Sequence, residues 1–267
     1  MSGTFAFHKY EGLGNDFIVI DAADGAALSA ARARALCDRH FGIGADGVLL
    51  VLPGAASGVD AHMKVINADG TTPEMCGNGV RCVALHLARA RGVSACDLVI
   101  DTDAGKRACR VAAAGGEATV TVDMGTVRVL GQRQVAIDGQ LATVHLADAG
   151  NPHAVILRPA TRREAERLGA LLAVDPAFPG GTNVEFARVS KDGIELTVWE
   201  RGVGLTLACG TGACATAAVA CAEGLARYGA PLRVVLPGGA LEVTVATDGG
   251  TSMCGPARRV FAGVADG

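Results

Sequence analysis

Residues 208–226 read ACGTGACATAAVACAEGLA, and this stretch decides how the chain folds. From Gly210 to about residue 225 the pattern predicts a helix. Its side chains are small or apolar on every face until Glu223. A helix without a polar face must be buried all round. Its small residues let surrounding strands approach closely, so the expected arrangement is a sheet wrapped about a central helix. Gly202 to Ala222 carries no charge, but its Ala, Gly, Thr and Cys content is too weakly apolar for a membrane span.

A second stretch, residues 74–91 (EMCGNGVRCVALHLARAR), repeats the theme. It predicts a helix over about 78–91, with Arg89 and Arg91 in the last turn and Gly92 beyond it. Val80, Cys82, Val83, Ala84, Leu85, Leu87 and Ala88 leave only a narrow polar stripe. Both helices follow Cys-Gly-x-Gly: Cys76-Gly77-Asn78-Gly79 and Cys209-Gly210-Thr211-Gly212, offset by about half the chain. Strand-like runs flank each copy: 16–21, 46–52, 61–67, 96–101, 106–112 and 117–123, then 141–147, 153–158, 183–189, 194–200, 231–236 and 240–246. Ser29 and Thr161 are suited to cap helices at about 30–40 and 162–172. The expectation is an α+β chain of two similar domains, each a mostly antiparallel sheet or barrel around a central helix. The halves are residues 1–124, carrying Cys76, and residues 125–257, carrying Cys209. Residues 258–267 return to the first half.

The 267 residues are 50% apolar and 19% charged, enough for a sizeable core and unlike a disordered chain. A net charge of −3 and 4% aromatics argue against nucleic acid or an anionic membrane as partner. The first residues lack the basic and apolar segments of a signal peptide. The nine cysteines form no C-x-x-C pair, which points to reduced thiols in a cytoplasm and gives no zinc-binding spacing.

The chemistry gathers at the two Cys-Gly-x-Gly turns. A helix N-terminus presents unpaired N–H groups and partial positive charge, so a thiol there is expected to ionise more readily. The same N–H groups suit a carboxylate or an oxyanion. Two such thiols flanking one α-carbon would invert it, one as thiolate taking the proton and the other as thiol delivering one. The four lysines, Lys9, Lys64, Lys106 and Lys191, lie in no phosphate-cradling context, so no pyridoxal cofactor is expected. Arg201, near Cys209 in sequence, is suited to a forked grip on a carboxylate. His153 lies in an Asn-Pro turn that favours a site-facing ring. Asn15, Asn67, Asn151 and Asn183 lie beside strand ends, where turn roles compete with functional ones.

The motifs GLGNDF (12–17), GIGADG (42–47), NADG (67–70), EMCGNGVRC (74–82), GNPHAV (150–155), TNVEF (182–186), WERGVG (199–204), ACGTGACA (208–215), LPGG (236–239) and GPA (255–257) together resemble the diaminopimelate epimerases. The resemblance implies cofactor-independent interconversion of LL- and meso-diaminopimelate by a cytoplasmic homodimer, in lysine and peptidoglycan precursor synthesis. It implies Cys76 and Cys209 as acid/base thiols, and Gly77, Asn78, Gly210 and Thr211 as backbone donors to the reacting carboxylate. Asn15, Asn67, Asn183, Glu200 and Arg201 would read the distal end of the substrate. Asn151 would line the site, and His153 and Glu200 would polarise the thiols. No metal is implied. The sequence departs from the family pattern at Gly47, Asp148, Leu205 and Cys254. The rival readings are a racemase of the proline or hydroxyproline type and a non-catalytic thiol protein.

Overall fold

The computed structural model describes residues 4–22, 28–73, 75–137 and 139–266. The chain divides into two units, one formed by residues 1–122 and 255–267 and the other by residues 123–254. The sequence reading placed the crossings near 124/125 and 257/258.

In the first unit the order is β1 (Thr4–Gly12), β2 (Asn15–Asp21), α1 (Ala30–Cys37), β3 (Gly47–Pro53), β4 (Ala61–Asn67), α2 (Gly77–Ala90), β5 (Ala95–Asp101), β6 (Arg107–Ala114) and β7 (Glu117–Thr126). β7 carries the chain into the second unit. There follow β8 (Arg128–Ile137), β9 (Gln140–Asp148), β10 (Pro152–Ile156), α3 (Arg162–Leu172), β11 (Asn183–Ser190), β12 (Gly193–Glu200), the short β13 (Gly204–Leu205), α4 (Gly210–Ala222), β14 (Leu232–Leu236), β15 (Gly239–Val245) and β16 (Gly250–Asp266). β16 leads back into the first unit.

The two units repeat one topology. In the first, β1–β2, β3–β4, β5–β6 and β6–β7 are antiparallel, whereas β2–β3 and β4–β5 are parallel. In the second, β9–β10, β11–β12, β14–β15 and β15–β16 are antiparallel, whereas β10–β11 and β12–β14 are parallel. Parallel neighbours need a crossover, and a helix supplies each one: α1 and α2 in the first unit, α3 and α4 in the second. In the first unit the returning end of β16 pairs with β1, and Arg259 N–H donates to Gly116 O at 2.9 Å, at the turn into β7. The strands therefore surround α2, which packs on β1 through β6. α4 likewise packs on β8 through β12 and on β14 and β15.

The helix ends follow from local chemistry. The Ser29 side chain accepts from Arg32 N–H, and Thr161 with Glu164 forms a reciprocal capping box. α4 buries every residue except Thr211 and Ala222, as its uniform composition requires. Its Thr216 hydroxyl donates back to Gly212 O at 2.7 Å, so no polar atom of that side chain is stranded. No helix among the described residues is long and apolar enough to cross a membrane. β1 and β8 complete the sheets where the sequence predicted no strands.

Candidate active site

Cys76 and Cys209 are the N-cap residues of α2 and α4. Their backbones are near copies: φ −138° and ψ 108° at Cys76, φ −131° and ψ 110° at Cys209. In each turn the sulfur accepts the N–H three residues on, Gly79 or Gly212, at 3.4 Å. Gly77 and Asn78, and likewise Gly210 and Thr211, occupy the first helical positions, whose N–H groups have no acceptor within a helix. Glycine at 79 and 212 has a steric cause. A Cβ at Gly79 would lie 3.0 Å from the Leu49 side chain, and one at Gly212 would lie 2.9 Å from Glu185 Oε1.

In the first unit a line of hydrogen bonds joins the predicted residues. Asn78 Nδ2 donates to Asn15 Oδ1 at 3.0 Å, and Asn15 Nδ2 donates to Asp46 Oδ2 at 2.9 Å. Arg39 bridges Asp46 and Asp16, each at 2.7 Å, and Lys9 pairs with Asp16. On the other side of Asn78, its Oδ1 accepts from Arg81 Nη2 at 2.9 Å, and Arg81 Nε donates to Pro256 O at 3.1 Å. Arg81 is fully buried. Asn67 stands apart from this line: it faces Gly47 in the β3–β4 ladder and donates to Thr71 Oγ1 at 3.0 Å. A Cβ at Gly47 would lie 2.9 Å from Ile66 O, which accounts for the glycine there.

In the second unit Cys209 sits among acids. Glu200, at the end of β12, accepts a hydrogen bond from Thr206 Oγ1 at 2.6 Å, and its charge acts on the Cys209 thiol. The Thr211 hydroxyl lies 3.5 Å from the sulfur. Burial pushes the Cys209 thiol well above its ordinary range, and the negative charges of Glu200 and Glu185 push it further. The bonds from Thr211 and Gly212 oppose this and lose. The expectation of a readily ionised thiol at this helix start is therefore corrected: desolvation and two carboxylates outweigh the helix N-terminus. Burial also raises Glu200, against the lowering by Thr206 and His153.

His153 is buried, with Nδ1 2.7 Å from Glu185 Oε1 and Nε2 2.8 Å from Asn151 Oδ1. Both ring nitrogens are thus engaged, by Glu185 and by Asn151. Asn183 lies beside His153 in the β10–β11 ladder. Its Nδ2 donates to Pro152 O and its Oδ1 accepts Arg201 N–H, both at 2.9 Å. The exposed Arg201 guanidinium donates to Gly180 O at 2.7 Å and has no carboxylate partner among the described residues. The Asp148 departure is explained by its turn: it pairs with Arg128 and accepts Gly150 N–H at 2.9 Å, just before Asn151.

Sequence reasoning passed over Arg81, Asp46 and Glu185. Arg81 and Glu185 did carry a signal, since each is a lone charge inside an otherwise apolar run, VRCVAL and NVEFA.

A repeated sheet-and-helix unit with a cysteine capping each central helix defines the class of fold, an α+β chain of two similar units. A hydroxyproline epimerase from Agrobacterium vitis superposes with a TM-score of 0.78 at 18% identity, covering 98% of this chain and 91% of that one. A PhzF-family phenazine biosynthesis protein from Bacillus anthracis gives 0.75 at 15% identity over 98% and 99%. At such identities the likeness is one of fold. The diaminopimelate epimerase family model matches residues 7–130 and 145–260. Diaminopimelate epimerases from Synechocystis sp. and Desulforudis audaxviator are each 42% identical, over 98% and 96% of this chain and 99% and 98% of theirs. The chain belongs to the diaminopimelate epimerase family.

Proposed function

We propose that this protein interconverts LL- and meso-diaminopimelate without a cofactor, each unit giving one thiol to the reaction. The observation that carries the reading is the twin turn: two cysteines with the same backbone geometry, each capping a buried helix and facing its first N–H groups. In one direction the Cys76 thiolate removes the α-proton and becomes a thiol. The Cys209 thiol delivers its proton to the opposite face and becomes a thiolate. The reverse direction exchanges the roles. The raised Cys209 thiol suits a group that starts as the acid. Helix N–H groups at Gly77, Asn78, Gly210 and Thr211 hold the reacting carboxylate and stabilise the charge that develops on deprotonation. The charge of Glu200 acts on Cys209, and His153 acts from behind, through Glu185.

Asn15, Asn67, Asn183 and Arg201 read the far end of the substrate, and Asn151 lines the site. The guanidinium of Arg201, without a carboxylate of its own among the described residues, favours a substrate with a second charged end over an imino acid. Losing that end would leave polar groups unpaired at about 1–3 kcal/mol each. We infer that it acts as a cytoplasmic homodimer, in lysine and peptidoglycan precursor synthesis. The test is solvent exchange: with diaminopimelate isomers in D2O, label is expected at one α-carbon. A folded, reduced protein that incorporates none would refute the proposal.

A further inference from the structure

One cluster in the first unit takes no part in the chemistry above. His8 on β1, Asp21 at the end of β2 and His86 on α2 bring a ligating atom each to within 4.8 Å of one another. Three separate elements contribute, so the grouping is a product of the fold and not of local sequence. His86 is buried, His8 half-buried and Asp21 exposed at the mouth. His86 Nε2 is 2.9 Å from Asp21 Oδ1, and the other nitrogen, Nδ1, is 3.3 Å from the Tyr10 hydroxyl. The two imidazole rings lie with centroids 4.9 Å apart. His8 Nδ1 is buried and has no hydrogen-bond partner among the described residues.

We propose that His8, Asp21 and His86 form a site for a single divalent transition-metal ion of the zinc type. A tetrahedral zinc with bonds of about 2.0–2.2 Å holds its ligands about 3.4 Å apart. His86 Nε2 and Asp21 Oδ1 stand 2.9 Å apart, just inside that spacing, and all three ligating atoms lie within 4.8 Å of one another. Two imidazoles and one carboxylate, with water at the open fourth position, make a recognised zinc donor set. Tyr10 stands where an outer partner fixes the ring of a ligating histidine. With one carboxylate, and with Arg89 and Arg259 close enough to act on His8, the site is poorly suited to calcium or magnesium, which prefer several oxygens. His86 lies nine residues beyond Gly77 along α2, about 13 Å, so the ion is remote from the Cys76 turn. It would tie β1 and β2 to the central helix, a structural function.

The test is zinc binding by the full chain after chelator treatment, with His8→Ala, Asp21→Asn and Tyr10→Phe beside the parent. The expected result is one zinc per chain, in a shell of nitrogen and oxygen by X-ray absorption. The affinity should fall at least about tenfold in His8→Ala and Asp21→Asn, and less in Tyr10→Phe. Zinc should also raise the thermal midpoint of the parent and not that of His8→Ala. Absence of stoichiometric zinc, a sulfur-containing shell, or binding unchanged in His8→Ala and Asp21→Asn would each overturn the proposal. The sulfur and unchanged-binding outcomes would assign the ion to cysteines.

Discussion

Replacing Glu185 with Gln should make Cys209 more reactive. A Cβ built at Gly212 would stand 2.9 Å from Glu185 Oε1 and 3.3 Å from Cys209 Sγ, which bounds the separation of those two atoms at about 6 Å. At an effective dielectric of about 20, a unit negative charge at that distance opposes the thiolate by about 2–3 kcal/mol. Gln keeps the shape and can still accept from His153, so the change removes the charge and leaves the packing. Any positive charge left on His153 acts in the same direction. The thiolate fraction of Cys209 at a fixed pH should therefore rise by as much as roughly a hundredfold.

The assay is the alkylation rate of Cys209 by a small reagent, located by mass spectrometry, across a pH series that begins below neutrality. A faster rate in Glu185→Gln, with equal rates for the two proteins in denaturant, is the expected outcome. Turnover should rise in the direction that uses Cys209 as the base and change little in the other, because a thiol held so far above its ordinary range stays almost wholly protonated near neutrality. A Cys209 rate equal to or below that of the parent, in a variant with an intact thermal transition, would refute the electrostatic reasoning.

Arg201→Lys should raise KM for diaminopimelate about 10- to 100-fold with a smaller effect on kcat, because a point charge replaces a two-pronged one; a kcat loss at unchanged KM would contradict the assigned role. Gly212→Ala should lower turnover more than tenfold while keeping the far-ultraviolet spectrum, since its methyl would press on both Glu185 and the Cys209 sulfur; unchanged turnover would show that the turn has slack. Stability should decline on the alkaline side. Burial raises the Cys37 thiol to about 11 and the Tyr10 hydroxyl to about 12, and pushes Cys82 and Cys209 up as well. The folded state then binds more protons than the unfolded one above the ordinary thiol value of about 8.5, so this stability is complete below that pH and lost as pH rises through the folded values. A thermal midpoint that stays level from about pH 8 to 11 would be inconsistent with it.

Much of the fold was legible because a few residues permit one solution. α4 has no polar face, so nothing but a surrounding sheet can accommodate it. Ser29, Thr161 and the two cysteines mark helix starts, and α2 and α4 begin within one residue of where the pattern put them. β1 escaped because TFAFHKYEG is covered on both faces and mixes charge with apolar residues: Phe7 packs toward α1 whereas Tyr10 meets α2, and buried Lys9 is held by Asp16 from the next strand. No periodicity within the segment reveals a partner elsewhere in the chain. β8 escaped because RVLGQRQVAI lies at the end of the strand order, pairs with β9 alone among the described residues and is mostly exposed, so alternation is weak. The candidate site was legible as a set of residue types. Its charge balance was not, since Glu185 and Arg81 act on the turns from positions that only folding brings near.

That charge balance bears on why a duplicated unit can do asymmetric chemistry. A two-base inversion needs one thiolate and one thiol at the same moment. Two interacting thiols in the same surroundings lose their protons in separate steps, but nothing decides which of the two ionises first. The backbone of the turn is preserved in both halves, down to the 3.4 Å contact of each sulfur, while the buried charges beside it differ in sign. Under the first turn the fully buried Arg81 donates to Gly77 O and Asn78 Oδ1. Against the second stand Glu185, equally buried, and Glu200. Divergence in these few ions leaves the backbone of the two turns unchanged. It biases Cys209 toward the thiol, the form that the proposed two-base reading needs in the proton donor.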